Sequence, residues 1–146
     1  MAWPLVASLL LLLANALFVA AEFSLVSAPR ASLEHLALRG HRSARRVLDI
    51  IDDPAQRDRY LATVQIGVSV ASLALGMYGE HAIAAVIGDA LGTNLPGRIS
   101  AHVVASAVAI AMLTYAHIVV GEMLPKTLAL QAATWTAIYT VPDRKS

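Results

Sequence analysis

The sequence contains no cysteine among its 146 residues. Disulfides, thiolate metal sites and cysteine nucleophiles are therefore excluded, and a bound metal would have to use oxygen or imidazole ligands. Charged residues are also scarce, at 14% against roughly 25% in soluble domains. The formal net charge is only +1, so composition gives no support for nucleic acid as a partner.

Motifs of membrane enzymes are missing as well. The sequence has neither a His-Glu-x-x-His pair nor a Gly-x-Ser-x-Gly motif, the patterns that would indicate a metalloprotease or a serine hydrolase. We therefore expect a protein that is not an enzyme, and its length fits one domain over residues 1–146.

Long stretches without Asp, Glu, Lys or Arg are abundant. They cover residues 1–21, 61–79 and 99–121, and about 17–25 mostly apolar residues suffice to cross a bilayer. The sequence predicts an all-α integral membrane protein with three transmembrane helices. For the shorter stretch 127–141 we expect a short span, or a re-entrant or interfacial helix. Because no basic residue precedes Arg30, a cleaved signal peptide is disfavoured for the first stretch.

The distribution of arginine predicts the topology. Seven arginines lie between Arg30 and Tyr60, whereas Arg98 is the only basic residue between Glu80 and Ser100. Short loops rich in Lys and Arg stay inside the cell. We therefore expect a multi-pass protein of the plasma membrane with its N-terminus outside and its C-terminus in the cytoplasm.

The two connections between spans differ in pattern. Apolar residues recur at helical spacing on both sides of Gly40, which predicts a cytoplasmic amphipathic helical hairpin. Its arginines would face lipid phosphates or, in the alternative interpretation, a regulatory partner domain. Gly88 and the Gly- and Pro-containing residues 92–97 predict an irregular outer loop.

Polar side chains recur inside the second and third spans. Gln65, Ser69, Ser72, Gly76 and Gly79 fall at spacings of three and four residues, which places them on one helix face. Such a face serves helix packing or lines a site, and both interpretations remain open for the serines. His117 is either a metal ligand or proton carrier, or a side chain hydrogen-bonded within the bundle.

The segment around Pro125 is the most informative. A proline inside a helix leaves the carbonyl four residues earlier without its partner, and here that carbonyl belongs to Gly121, beside Glu122. Freed carbonyls in broken helices coordinate cations in membrane transporters, and oxygen ligands suit Mg²⁺. The alternative is a helix end at which Glu122 pairs with Lys126.

With these segments the sequence resembles the membrane domain of the CorC/cyclin M (CNNM) family of magnesium transporters over nearly the whole chain. Three motifs carry the resemblance: NALFVAAEFSLVS at 15–27, LATVQIG at 61–67 and GEMLPKT at 121–127. It implies a homodimer in the lipid bilayer that exports Mg²⁺, driven by Na⁺ influx, with Co²⁺ as a related substrate. It also implies that cytoplasmic CBS modules that bind ATP follow this domain.

The resemblance assigns the family's acidic ion-site residue to Glu122 and its small or polar first-span positions to the region of Ser24 and Ser27. Its second-span polar position, often asparagine, falls on or near Ser72, which leaves Ser69 and Ser72 as alternatives. With Gly121, these residues predict a dehydrated Mg²⁺ site among the helices near Glu122. A different function is a membrane anchor or sensor for appended regulatory domains, without transport of its own.

Overall fold

A computed structural model describes residues 2–91 and 98–141. Within these ranges the chain is entirely helical, which confirms the predicted fold class. The elements are α1 Ala2–Ser27, α2 Arg30–Leu38, α3 Arg42–Asp52, α4 Pro54–Leu91, α5 Arg98–Ala116, a π-helical segment His117–Met123, α6 Leu124–Gln131 and α7 Ala133–Thr140.

Among the described residues, three helical stretches are long and apolar enough to cross a membrane: Trp3–Ser27, Pro54–Asp89 and Val103–Gln131. Their number agrees with the sequence prediction, but the predicted end of the third span at residue 121 is wrong. The π-helical segment accommodates Pro125 without ending the helix, so the span runs on through α6.

The second span is also longer than predicted. α4 has 38 residues, which at about 1.5 Å per residue gives roughly 57 Å, nearly twice the roughly 30 Å hydrocarbon core of a bilayer. Gly88 lies inside α4, so its assignment to an irregular loop is wrong. Helix-favouring alanines in the surrounding turns outweigh the cost of one glycine, about 1 kcal/mol. Residues 92–97 of the predicted loop lie outside the described residues.

The predicted helical hairpin is present as α2 and α3. Gly40 joins the two helices with φ of +90°, a left-handed conformation that glycine adopts without strain. The Gly40 N–H donates to the Ala37 carbonyl and the His41 N–H to the Leu36 carbonyl, both at 3.1 Å. These two bonds form a Schellman motif, which explains why α2 stops at this glycine.

The hairpin folds around a small apolar core. We call this set of buried side chains the hairpin core; its members are Leu25, Leu33, Ala37, Ala44, Val47, Ile50, Ala137 and Val141. Ala132, with φ of −125° and ψ of 40°, breaks the chain between α6 and α7. The stretch 127–141 is therefore divided, because its first part ends the third span while α7 packs against α1 and α3.

Candidate functional site

The π-helical segment changes which backbone groups of the third span are bonded. At its end the Leu124 N–H reaches back five residues to the Val119 carbonyl, and Pro125 has no N–H to donate. The Gly121 carbonyl, which an uninterrupted α-helix would bond to residue 125, instead accepts a hydrogen bond from Asn15 Nδ2 at 3.0 Å. The freed carbonyl predicted from the proline is thus found, and it points at the first span.

Asn15 connects all three spans. Its side chain is 1% exposed, and its Oδ1 accepts a hydrogen bond from Ser72 Oγ at 3.1 Å. His117 Nε2 lies 3.2 Å from Asn15 Nδ2 and 3.2 Å from Ser72 Oγ. We call Asn15, Ser72, His117 and the Gly121 carbonyl the polar cluster. If His117 Nε2 carries no proton, Asn15 can donate one N–H to it and the other to Gly121.

Close packing at the polar cluster depends on glycine. A Cβ atom at Gly121 would lie 2.9 Å from His117 Cδ2 and 3.1 Å from both Asn15 Nδ2 and Leu12 Cδ1. His117 and Asn15 belong to the polar cluster itself, so a side chain at Gly121 would push these two side chains away. Gly121 therefore contributes its carbonyl and also allows α1 to approach closely enough to use it.

Glu122 follows Gly121 directly and has an exposed side chain. It lies nine residues before the end of the third span, about 14 Å along the helix axis, so its backbone is inside the stretch that can cross the membrane. Carboxylates at this depth are costly and usually functional. Among the described residues it makes no ion pair within 4.0 Å. Lys126, its alternative partner, places its Nζ 4.5 Å from the centroid of the Phe23 ring.

The predicted serines do not all lie near Glu122. Ser72 belongs to the polar cluster, whereas Ser69 is exposed. Ser24 is fully buried and donates to the Ala21 carbonyl at 3.1 Å. It is nine residues, or about 14 Å, further along α1 than Asn15, and Ser27 is one turn beyond it. The structure therefore brings Ser72 and Gly121 together, leaves Ser24 and Ser27 apart from them, and turns Ser69 outward.

The predicted polar face of α4 needs correction. The buried positions of its central part include Val64, Ala71, Leu75 and Gly79, so the packed face is mostly apolar. Ser72 lies at the edge of that face, while the other polar members of the predicted face point outward. Helical spacing placed these residues on one side of the helix, but the structure divides them, with Gly79 buried, Ser72 at the edge and Gln65, Ser69 and Gly76 exposed.

Comparison with known proteins decides the family. Residues 6–142 match the family described as the cyclin M transmembrane N-terminal domain. The chain belongs to this family. Cyclin M domains are generally parts of transporters rather than enzymes, which agrees with the expectation drawn from the missing enzyme motifs.

Relatives of this cyclin M domain occur in several bacteria. UPF0053 protein YhdT of Bacillus subtilis is 38% identical over 82% of the chain, and Rv1841c of Mycobacterium tuberculosis is 37% identical over 92% of it. A protein of Haemophilus influenzae named polyamine export protein is 29% identical over 90% of the chain. The chain spans only 25%, 37% and 29% of these relatives' lengths, respectively, so they carry further domains or segments.

Asn15 was not assigned to the ion site from the sequence, and a metal ligand was one of two interpretations of His117, which the structure shows hydrogen-bonded within the bundle. Asn15 is the only amide among residues 1–21, and an amide in a span is a signal for burial or function. His117 precedes Gly121 by one helical turn, so the two were expected to share a face. Within the described residues no three His, Asp or Glu side chains are grouped for metal binding, so a cation here would rely mainly on neutral ligands.

Proposed function

We propose that the chain is the membrane domain of a secondary transporter that exports Mg²⁺, with Co²⁺ as a related substrate, driven by Na⁺ influx. The polar cluster is the observation that supports this function most. It joins groups from three spans. The residue that follows Gly121, Glu122, carries an exposed carboxylate without an ion-pair partner among the described residues. Polar groups gathered at membrane depth mark ion and substrate pathways.

The cluster offers the ligand chemistry that Mg²⁺ requires. Mg²⁺ takes six oxygen ligands in a near-octahedral arrangement and retains some of its water. We propose that the Gly121 carbonyl, the Ser72 hydroxyl, the Asn15 amide oxygen and the Glu122 carboxylate supply the protein ligands. Ser24 and Ser27 would line the path between this site and the hairpin end of the bundle.

Asn15 would have to turn over for an ion to bind. In the structure its Nδ2, a donor, faces the Gly121 carbonyl at 3.0 Å, and a cation cannot share that space with an N–H group. Rotation of the amide by half a turn would exchange Nδ2 for Oδ1 at nearly constant volume. The rotation would replace hydrogen bonds within the polar cluster by oxygen atoms that converge on the ion. Mg²⁺ binding would therefore be coupled to rotation of the Asn15 amide.

The contact of Lys126 with Phe23 helps to keep Glu122 available. Glu122 and Lys126 are four residues apart, a spacing at which opposite charges on a helix usually pair. Here the ammonium group lies over the Phe23 ring of α1, 4.5 Å from its centroid, a favourable cation–π arrangement. The Lys126 ammonium group therefore does not occupy the carboxylate, which leaves Glu122 open to an incoming cation.

Polyamine export is the second candidate, because it is the activity in the name of the Haemophilus influenzae relative. A polyamine carries several separated ammonium groups, whereas the polar cluster offers neutral oxygens that lie close together. This arrangement favours a single compact cation. An anchor or sensor without transport would not need ligand groups at membrane depth.

Flux measurements on the purified domain in liposomes test the proposal. When a Na⁺ gradient is imposed, wild type should move Mg²⁺ in the direction opposite to Na⁺ entry. Glu122→Gln should abolish this flux because it removes the charge at constant shape. Glu34→Gln, the same substitution in the exposed hairpin, is the matched control. Flux of spermidine but not Mg²⁺ would support the polyamine candidate, and no flux of either cation in wild type would support the anchor.

We also propose that the domain is a homodimer followed by CBS modules in the full-length protein. Gln65, Ser69 and Gly76 form an outward-facing polar and small-residue strip on α4, and such surfaces are better matched by a second helix than by lipid. Mass measurement in nanodiscs should therefore give two copies, and a single copy would contradict the dimer.

For topology we propose that the hairpin is cytoplasmic, as its arginines indicate. A cysteine introduced at Ser43, which lies in α3, should resist a membrane-impermeant thiol reagent in intact cells. Rapid labelling of that cysteine in intact cells would contradict the proposed orientation.

A further inference from the structure

A groove of about 500 Å³ opens between the start of α4, the middle of α1 and the end of α7. Its lining includes Arg59, Tyr60 and Val64 of α4, Leu17 and Phe18 of α1, and Tyr139 of α7. We propose that this groove binds an anionic phospholipid, with the lipid phosphate at Arg59 and one acyl chain along Phe18 and Val64. The proposal does not depend on the transported ion.

Polarity changes along the groove in the direction that a lipid requires. Gln56 and Arg59 lie in the first two turns of α4, at the end of the span where the hairpin begins. Phe18 is nine residues from the end of α1 at Ser27, and so about 14 Å deeper. A phospholipid has the same order, with its charged group at the membrane surface and its hydrocarbon beneath.

The groove is open towards the bilayer rather than enclosed. Leu17 is 60% exposed and Tyr139 is 81% exposed, although both lie against the membrane-spanning helices. Tyrosines such as Tyr60 and Tyr139 favour the boundary between headgroups and hydrocarbon. An acyl chain can therefore enter sideways from the leaflet while its headgroup stays at the level of the two tyrosine rings.

Charge selects an anionic headgroup. Among the described residues Arg59 makes no ion pair within 4.0 Å, whereas its neighbour Arg57 lies 3.8 Å from Asp58. The carboxylate of Asp53 is already hydrogen-bonded by Gln56 Nε2 at 2.9 Å and by the Ala55 N–H at 2.9 Å, and the charge of Arg59 is the smallest of the influences on the pKa of Asp53. The Arg59 guanidinium is thus available to a phosphate, which it can bind through two N–H groups.

Native mass spectrometry of the purified chain tests the site after reconstitution in nanodiscs that contain phosphatidylcholine and phosphatidylglycerol. Wild type should retain phosphatidylglycerol in preference to phosphatidylcholine. Arg59→Gln should lower its retention roughly tenfold, the size expected when a hydrogen bond to a charged group is lost. Arg57→Gln, a matched change outside the groove lining, should leave retention unchanged.

A second variant separates the groove from its charge. Thr63 is exposed and lines the groove, so Thr63→Trp should fill it and also release the lipid. Inorganic phosphate should not displace the lipid, because the acyl chain contributes to binding. Equal retention in Arg59→Gln and Arg57→Gln, or equal retention of both lipids by wild type, would overturn the proposal. The proposal would also be overturned if Thr63→Trp retained the lipid but no longer formed dimers. That result would mean that the groove is occupied by a second copy of the chain and not by lipid.

Discussion

Two regions in which side chains from several helices meet have opposite chemistry. The hairpin core consists of apolar side chains from α1, α2, α3 and α7, with Leu33 and Val47 fully buried. The polar cluster, at membrane depth, consists of an amide, a hydroxyl, an imidazole and a carbonyl. The hairpin core resembles the interior of a soluble domain, whereas the polar cluster is a feature that membrane packing alone does not require.

This difference in chemistry suggests different roles: the hairpin core stabilises the fold, and the polar cluster serves transport. Water drives apolar groups together at the hairpin, but lipid tails are as apolar as leucine, so no comparable force gathers the spans. Helices in a bilayer could pack through small residues without burying Asn15 against His117. Substitutions in the polar cluster should therefore change transport most, and those in the hairpin core should change folding most.

The largest effect should come from Gly121→Ala. The added methyl group would lie 2.9 Å from His117 Cδ2 and 3.1 Å from Asn15 Nδ2, and overpacking of this kind costs about 1–3 kcal/mol. The cluster should open and Mg²⁺ flux in liposomes should be lost. Gly88→Ala, where a Cβ meets no atom within 4 Å, is the control and should keep its flux. Full flux in both variants would show that the close approach at Gly121 is irrelevant to transport.

The reverse result is expected in the hairpin core. Leu33→Ala removes a fully buried side chain and should lower the free energy of unfolding by about 2–5 kcal/mol. Chemical denaturation in detergent measures this loss, while the Mg²⁺ affinity of the folded fraction should not change. Leu38→Ala, at an 88% exposed position of the same helix, should have little effect on stability. A large loss of Mg²⁺ affinity in Leu33→Ala would contradict the view that the hairpin core determines stability and not ion binding.

The smallest effect concerns the start of α4. Asp53 caps this helix by accepting the Ala55 N–H at 2.9 Å, and hydrogen bonds from Gln56 hold the pKa of Asp53 below its usual value. Because the folded pKa is lowered, the stabilisation is present above the ordinary pKa and is lost as the pH falls through the folded pKa. Asp53→Ala should therefore melt slightly below wild type at neutral pH, and the difference should disappear in acid. A difference that is constant with pH would contradict this role of the carboxylate.

Much of the fold could be predicted from the sequence because hydropathy and the helical spacing of apolar residues are strong signals. Three spans and a hairpin divided at Gly40 were predicted correctly. The end of the third span was not, because Pro125 indicates a lost hydrogen bond but not whether the helix stops or bulges. The outer part of α4 was missed because Gly88 occurs as readily in a loop as in a tolerated helix position.

The candidate site was only partly predictable for a related reason. Pro125 and Gly121 are neighbours in sequence, so the freed carbonyl could be foreseen. Its partner Asn15 is 106 residues away, and no local pattern shows which face of α1 meets the third span. Helical spacing likewise grouped Ser69 with Ser72 but could not show that only Ser72 reaches Asn15.

That last pair gives the most direct test of the central claim, that the ion site is the polar cluster. Ser72→Ala and Ser69→Ala make the same chemical change one turn apart on α4, and Mg²⁺ affinity can be measured by calorimetry on each folded variant. Loss of a ligand hydroxyl in Ser72→Ala should weaken binding roughly tenfold, taking about 1.5 kcal/mol for the bond, while Ser69→Ala should bind as wild type does. Equal affinities in the two variants, or a loss confined to Ser69→Ala, would contradict a site at Asn15, Ser72 and Gly121.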